Sequence, residues 1–254
     1  MNNRIALVTG AGRAKGIGAA ICRSLADAGM DIFFTYWSSY DASMPWGAGQ
    51  EEPLQLREDI RRTGARCEML ELDLSDPAAP GQLMEAVCAR LGTPDVLVNN
   101  AAYSTSTSYA DITAEELDRH YFINVRATAL LSAAFARRFE KGNGGRIINL
   151  TSGQSLGPMP NEVAYAATKG AVDALTVTLS AELAPKGITV NAVNPGPTDT
   201  GWMTPELQEE LLPLFGLGRI GLPADAARAV RLLASEDAGW ITGQILHSEG
   251  GFKR

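Results

Sequence analysis

The sequence predicts an α/β fold: a doubly wound parallel sheet of about seven strands with helices on both faces. Short, nearly continuous apolar runs alternate with segments of helical periodicity along the whole chain, the pattern of a parallel sheet buried on both sides. Glycine or small polar residues follow most of these runs. Because the 254 residues contain no internal repeat or linker, residues 1–254 are predicted to form a single domain.

The helices between the runs have recognisable starts and stops. Gly29 ends the first helix, Ser75-Asp76-Pro77 begins the third, and Thr113-Ala-Glu-Glu116 is a capping box for the fourth. Segment 38–53, with Pro45 and Trp46, is too polar and broken for a regular element and is predicted to be a long loop. Strands are predicted at 4–9, 31–36, 66–72, 95–100, 145–150, 188–193 and 243–247, and helices at 17–29, 54–63, 77–91, 113–139, 165–183 and 223–233.

Composition narrows the partners to a small molecule. The net charge of −7 argues against nucleic acid or an anionic membrane surface, and no apolar run is long enough to span a bilayer. The chain passes from Met-Asn-Asn-Arg directly into a strand, so we expect no signal peptide and a cytoplasmic protein. Three widely spaced cysteines are typical of reduced thiols, and two histidines are too few for a His-based site, so no metal is predicted.

Four glycines lie around the junction of the first strand and the first helix. Gly10, Gly12, Gly16 and Gly18 let the backbone approach a pyrophosphate, while the helix that begins at Ile17 supplies N–H groups. This arrangement is the opening of a Rossmann-type dinucleotide-binding unit. The alternative is a plain tight turn with no ligand.

The end of the second strand favours NADP over NAD. An acidic residue there would bind the ribose 2′-hydroxyl of NAD, but the chain has Tyr36 and Trp37 and no acid until Asp41. Arg13 and Lys15 add positive charge from the glycine turn. NAD stays possible, since both cations are also compatible with simple solvation.

A tyrosine and a lysine lie one helical turn apart after the fifth strand. On a helix, Tyr165 and Lys169 share a face, and a cation within ~4–6 Å can lower the pKa of a phenol by about 1–3 units. Ser152 can supply a hydroxyl from the end of the preceding strand. These residues predict an acid–base site, although taken alone the Tyr-x-x-x-Lys spacing is more often a solvated helix face.

Two asparagine positions and one segment complete the candidates. Asn124 lies in mid-helix, which indicates a bent or specially hydrogen-bonded site or a tolerated surface residue. Asn99 and Asn100 end the fourth strand, where they contact a ligand or hold neighbouring backbone. Segment 201–218, with Trp202, Met203 and a leucine-rich centre, is a candidate substrate lid.

In these residues the chain resembles the short-chain dehydrogenases/reductases. Asn99-Asn100-Ala101, Ser152, Tyr165-x-x-x-Lys169 and Asn194-Pro195-Gly196 follow the family's order and spacing. Residues 218–223 and 240–247 resemble the 3-oxoacyl-(acyl-carrier-protein) reductase-like branch. The glycine turn is two residues longer than the family pattern, segment 38–53 is also longer, and Ala102 stands where Gly is common.

The resemblance implies a role for each motif. By this resemblance, Tyr165 protonates the carbonyl oxygen of the substrate, and Ser152 hydrogen-bonds the same oxygen. Lys169 lowers the pKa of Tyr165 and holds the nicotinamide ribose. Asn124 supports a water-linked proton path to Lys169. The residues implied in cofactor binding are Gly10, Gly12, Arg13, Gly16, Ile17, Gly18, Trp37, Asp73, Leu74, Asn100, Ala101, Tyr165, Lys169, Pro195, Gly196 and Thr198.

Three functions are compatible with this reading. The first is an NADP-dependent reductase that interconverts a carbonyl and a secondary alcohol, best matched to a 3-oxoacyl thioester. The second is dehydrogenation of a sugar or cyclic polyol, and the third is a dinucleotide-sensing module without turnover. The complete set of Ser152, Tyr165, Lys169 and Asn124 argues against the third. The resemblance also implies a homotetramer.

Overall fold

A computed structural model describes residues 3–44, 46–49 and 51–254. Pro45, part of the expected loop, lies outside these ranges, as does the Met1-Asn2 start. The strands are β1 Ile5–Val8, β2 Asp31–Tyr36, β3 Cys67–Glu71, β4 Val96–Asn99, β5 Gly145–Leu150, β6 Ile188–Asn194 and β7 Ile245–His247. The α-helices are α1 Ile17–Asp27, α2 Ser38–Ser43, α3 Glu52–Arg62, α4 Ala79–Arg90, α5 Ala114–His120, α6 Thr128–Arg138, α7 Val163–Leu183, α8 Pro205–Leu211 and α9 Pro223–Ala234.

All seven strands pair in parallel in one sheet, in the order β3-β2-β1-β4-β5-β6-β7. The predicted doubly wound Rossmann-type fold is confirmed. The strand order reverses between β1 and β4, and in such sheets ligands bind at the carboxyl ends of the strands near this point. The Gly10 turn and Asn100 follow these two strands.

Two apolar cores cover the two faces of the sheet. One packs side chains of α1, α3 and α9, including Ile21, Ile60 and Val230, against the sheet. The other packs α4 and α6, including Leu83 and Phe135, against the opposite face. Because both faces are covered, the strands are almost continuously apolar, and their polar chemistry is displaced to the strand ends.

Several observed elements differ from the predicted ones, and helix α8 was not predicted. Residues 38–43 of the expected loop form the short helix α2. The long helix expected over 113–139 is instead α5, a π-helical segment Tyr121–Ala127 and then α6. The last strand begins at Ile245 rather than 243, because Gly243 has a φ of 72° that a strand does not accommodate.

Cys22 and Cys67 are buried free thiols, and burial raises the pKa of Cys67 to about 12.

Within the described ranges, no helix is both long and apolar enough to cross a membrane.

Candidate active site

The glycine turn after β1 is built for close backbone contact. Gly10 has a φ of 72°, and a Cβ there would lie 2.7 Å from the Cα of Ala101. A Cβ at Gly18 would lie 2.7 Å from Nδ2 of Asn100. Side chains at either position would therefore force the turn away from β4 and narrow the space above it.

A cleft opens over this turn and encloses about 940 Å³ of space, part of it open to solvent. Its walls come from the glycine turn, the end of β2, the residues after β3 and the residues after β4. The predicted cofactor residues that line it are Gly10, Gly12, Arg13, Gly16, Ile17, Gly18, Trp37, Leu74, Asn100 and Ala101.

Part of the cleft wall comes from the segment predicted to be a long loop, namely Tyr40, Asp41 and Trp46. The Arg13 guanidinium stacks on the indole of Trp46, with its Cζ atom 4.3 Å from the ring centroid. The indole N–H donates a 3.2 Å hydrogen bond to Asp41. Arg13 also donates to the carbonyl of Thr200 at 2.6 Å, and the Glu52 carboxylate accepts from the backbone N–H of Ala14. Arg13 is therefore partly buried and held in place, rather than merely solvated.

The two asparagines after β4 have different roles. Asn99 is buried and donates to Asn149 at 2.8 Å and to Ser132 at 3.2 Å, so it holds β4 to β5 and α6. Asn100 donates to the carbonyls of Thr9 at 2.8 Å and Gly10 at 2.9 Å while it lines the cleft. Asn100 thus fixes the glycine turn in addition to facing the candidate ligand.

Asn124 lies in the π-helical segment and is buried. Its amide donates to the carbonyl of Tyr103 at 2.9 Å and to the hydroxyl of Thr168 at 3.0 Å, and it accepts from the N–H of Tyr103 at 2.8 Å. The expectation of a specially hydrogen-bonded site is confirmed. π-Helical turns are frequent at functional sites, and this one places Asn124 against Thr168, the neighbour of Lys169.

Tyr165 and Lys169 lie on the same face of α7. The Nζ atom of Lys169 is 5.4 Å from the ring centroid of Tyr165 and donates a 2.7 Å hydrogen bond to the carbonyl of Leu150, the last residue of β5. Lys169 is buried. Burial lowers the pKa of Lys169 to about 8, and the charge of Asp173 opposes the shift.

The pKa of Tyr165 moves in the direction opposite to the sequence-based expectation. Burial raises the pKa of Tyr165 well above its ordinary value, the nearby Glu162 adds to the rise, and a hydrogen bond from Ser152 opposes it. Desolvation of the phenolate is the largest cause of this rise, and the expected lowering of the Tyr165 pKa by Lys169 stays a prediction. The phenol is held in its protonated form.

Ser152 lies two residues after the end of β5 and is partly exposed beside Tyr165 and Met159. The residue before it, Thr151, donates from its hydroxyl to Asp173 at 2.6 Å and from its backbone to Val193 at 2.9 Å. The base of the Ser152 loop is thus attached to both α7 and β6.

The turn after β6 lies on the same edge of the sheet. The Asn194 side chain accepts from the N–H of Gly196 at 2.9 Å and donates to Glu249 at 2.9 Å. Gly196 has a φ of 64°, and the hydroxyl of Thr198 donates to its carbonyl at 3.1 Å. The ends of β1, β4, β5 and β6 therefore present their polar residues together.

Comparison with known proteins agrees with this architecture. The sequence model of the family described as enoyl-(acyl carrier protein) reductase matches residues 10–253. The uncharacterized oxidoreductase YjdA of Bacillus subtilis is 54% identical over 253 residues, which cover 99% of this chain and 97% of the relative. The structure of a short chain dehydrogenase from Burkholderia cenocepacia J2315 in complex with NADP is 33% identical, covers 98% of each chain and superposes with a TM-score of 0.88.

The chain belongs to the short-chain dehydrogenase/reductase family. It is an oxidoreductase of this family. A blue fluorescent protein from a metagenomic library, whose structure is in complex with NADPH, is also similar: it is 35% identical with a TM-score of 0.89, over 100% of this chain and 99% of that one.

Some predicted site residues of this family member lie outside the cleft over the glycine turn. Its lining does not include Asp73, Pro195, Gly196 and Thr198, or the candidate catalytic residues Asn124, Ser152, Tyr165 and Lys169. The Asp73 carboxylate accepts from the N–H of Ser75 at 2.8 Å and so shapes the turn that presents Leu74.

Nine residues that line the cleft were not among the predicted cofactor contacts, namely Thr35, Tyr36, Tyr40, Asp41, Trp46, Leu72, Ala102, Ile123 and Thr200. The sequence signal for Tyr40 and Trp46 was that they are aromatic residues in an otherwise polar segment, because aromatic side chains usually pack against other groups.

Proposed function

We propose that the protein is an NADP-dependent reductase that converts a carbonyl to a secondary alcohol, with Tyr165 as the general acid. One observation carries the proposal: the buried Lys169 Nζ lies 5.4 Å from the Tyr165 ring, on the helix face that also meets the Ser152 hydroxyl. A buried lysine beside a partly buried tyrosine at this edge of the sheet has little structural value, since burying ionisable groups is unfavourable. Their conjunction favours catalysis.

The cleft suits a dinucleotide. Gly12, Gly16 and Gly18 leave backbone where side chains would intrude, and the N-terminus of α1 supplies the N–H groups that bind a pyrophosphate. Arg13 and Trp37 would meet the adenosine end, and Asn100, Ala101, Lys169, Pro195, Gly196 and Thr198 the ribose and nicotinamide end. The bound cofactor would supply the hydride.

The protein's own part of the reaction is to hold and move a proton. As the carbonyl carbon gains the hydride, its oxygen takes the proton of the Tyr165 hydroxyl, and Ser152 donates a hydrogen bond to the same oxygen. The raised pKa of Tyr165 keeps this proton on the phenol before reaction. Lys169, with a pKa of about 8, is mainly cationic near neutrality and would stabilise the tyrosinate that follows.

Asn124 would complete the proton path. Its hydrogen bonds to the hydroxyl of Thr168 and the backbone of Tyr103 attach the π-helical segment to α7 at the residue next to Lys169. A chain of water from this point to Lys169 and then Tyr165 would return the proton after each turnover.

For the substrate we favour a 3-oxoacyl thioester. Support comes from the family description, which names an acyl carrier protein, and from the resemblance of residues 218–223 and 240–247 to the 3-oxoacyl reductase-like branch. Segment 201–218, which contains α8, would cover an apolar acyl chain as a lid. Its exposed Trp202, Leu214 and Leu217 suit that task.

We also propose a cytoplasmic homotetramer. Exposed apolar side chains on α6, α7 and beside β7, namely Leu130, Val177 and Trp240, lie where the resemblance places subunit contacts. Light scattering at micromolar concentration tests this, with a mass near four chains expected.

The reductase proposal is tested by a panel of 3-oxoacyl thioesters, simple ketones and aldehydes, and oxidised sugars, each with NADPH and NADH in parallel. We expect NADPH oxidation to be fastest with a 3-oxoacyl thioester. A preference for the sugars would replace the substrate class and leave the chemistry intact. Absence of nucleotide oxidation with every substrate would contradict the proposal.

A further inference from the structure

Residues 249–254 pass over the edge of the sheet that carries the catalytic loops. The backbone of this segment pairs with segment 201–218: Leu217 N–H donates to Gly250 O at 3.0 Å, and Lys253 N–H donates to Leu214 O at 2.9 Å. Phe252 packs against the buried Phe215, with ring centroids 4.9 Å apart. The segment is therefore held against the proposed lid by both backbone and side chains.

An ion pair joins the two ends of this segment. The Arg254 guanidinium donates to both carboxylate oxygens of Glu249, at 3.1 and 2.7 Å. The side chains are only 16% and 11% exposed. Two-point pairing of a planar guanidinium with a carboxylate fixes direction as well as distance, so this pair places both groups more firmly than an ordinary surface pair would.

The Glu249 end of the pair holds the turn after β6. Its carboxylate accepts the 2.9 Å hydrogen bond from Asn194, whose own oxygen accepts from the N–H of Gly196. Any side chain at Gly196 would meet the Glu249 Cβ at 2.5 Å. Glu249 thus lies directly against the turn proposed to face the nicotinamide.

The Arg254 end lies on the catalytic serine loop. A Cβ at Gly153, the residue after Ser152, would overlap the Arg254 guanidinium, and a Cβ at Gly157 would lie 2.9 Å from its Cδ. Neither glycine has the left-handed backbone conformation that requires glycine. The room that these two glycines leave is therefore occupied by the arginine side chain.

We propose that Arg254 is a positioning residue, which joins the Ser152 loop to the turn after β6 through its ion pair with Glu249. This inference rests on the proposed role of Ser152. The pair sets the separation between the hydroxyl that would hold the carbonyl oxygen and the turn that would hold the nicotinamide. Displacements of about 1 Å between reacting groups can lower a rate by up to ~100-fold, so loss of the pair should act on turnover.

A double-mutant cycle on kcat/KM tests this coupling. Arg254→Ala removes the guanidinium, and Gly153→Ala displaces it with a methyl group that the backbone accepts. We expect each single variant to lower kcat/KM by about 10-fold, mainly through kcat, and the double variant to be no worse than either. Arg254→Lys should recover only part of the loss, because it keeps the charge without the two-point geometry.

Two controls separate positioning from folding. Arg62→Ala removes an arginine from an exposed ion pair, and Gly81→Ala adds a methyl where no atom lies within 4 Å; both should keep wild-type kcat/KM. Fully additive losses in the cycle, or an Arg254→Ala variant as active as the wild type, would overturn the proposal.

Amide hydrogen exchange gives a readout that does not need catalysis. We expect Arg254→Ala to speed exchange in peptides that cover 152–157 and 194–198, in addition to 249–254. Faster exchange confined to 249–254 would overturn the proposal even if the reductase function holds. If Arg254→Ala speeds exchange in 152–157 and 194–198 but the wild-type protein shows no turnover, the result would contradict the proposed function and leave the positioning proposal intact.

Discussion

Substitution of Lys169 by methionine should expose how much stability this family member loses by burying a cation. The pKa of Lys169 falls from 10.5 to about 8 on folding because burial disfavours the charged form. Below pH 8 both the folded and the unfolded chain bind the proton, and the unfavourable burial of charge is fully present. Between pH 8 and 10.5 the unfolded chain binds more protons, so the stability of the wild type rises with pH.

The size of the effect follows from the two pKa values. At 1.36 kcal/mol per pKa unit, the wild type should gain about 2 kcal/mol of unfolding free energy between pH 7 and pH 9.5, relative to Lys169→Met. The variant also loses the 2.7 Å hydrogen bond to Leu150, but that loss is nearly constant over this range. The change in the difference between the two proteins therefore isolates the titration of Lys169.

Urea unfolding at pH 7, 8 and 9.5, at one protein concentration, measures this difference. Lys186→Met is the matched control, because Lys186 is exposed near the end of the same helical region, and its difference from wild type should stay constant with pH. A Lys169→Met difference that is equally flat would refute the reasoning. The variant should lose turnover, so greater stability near neutrality would accompany lower activity.

Three further substitutions test the cleft and its support. Gly18→Ala should weaken NADPH binding by about 10-fold or more, since a methyl there meets the turn, whereas Gly81→Ala should leave the Kd from fluorescence titration unchanged. Asn99→Ala should lower the unfolding free energy by about 1–3 kcal/mol in urea, because it removes two buried hydrogen bonds; an unchanged midpoint would contradict that role. Trp46→Ala should raise the Kd of NADPH several-fold and that of NADH less, because the indole holds Arg13; equal effects on both nucleotides would remove Arg13 from 2′-phosphate recognition.

The fold was predictable because its strands are buried on both faces. Strands such as Ile5–Val8 and Val96–Asn99 are apolar on both faces, so they are recognised as short apolar runs. Because helices alternate with them, few sheet topologies other than a parallel one are possible. The serine, tyrosine and lysine were predictable for a similar reason. Their spacing on one strand end and one helix is local, so Ser152, Tyr165 and Lys169 were identified before any long-range contact was known.

What escaped prediction depends on contacts between distant residues. The direction of the Tyr165 pKa shift is set by burial, which local spacing does not report. The packing of Trp46 under Arg13 joins residues 33 positions apart, and the sequence around Trp46 carries no regular periodicity. The place of Arg254 beside Gly153 joins still more distant positions.

The central claim, that Tyr165 donates the proton, is tested most directly by Tyr165→Phe. The substitution removes one oxygen atom and keeps the ring that packs beside Lys169. We predict that kcat falls by about 10²–10⁴-fold while the Kd of NADPH stays within about threefold of wild type, and that Tyr109→Phe, at a side chain 91% exposed, changes neither. Turnover by Tyr165→Phe within tenfold of the wild type would contradict the account.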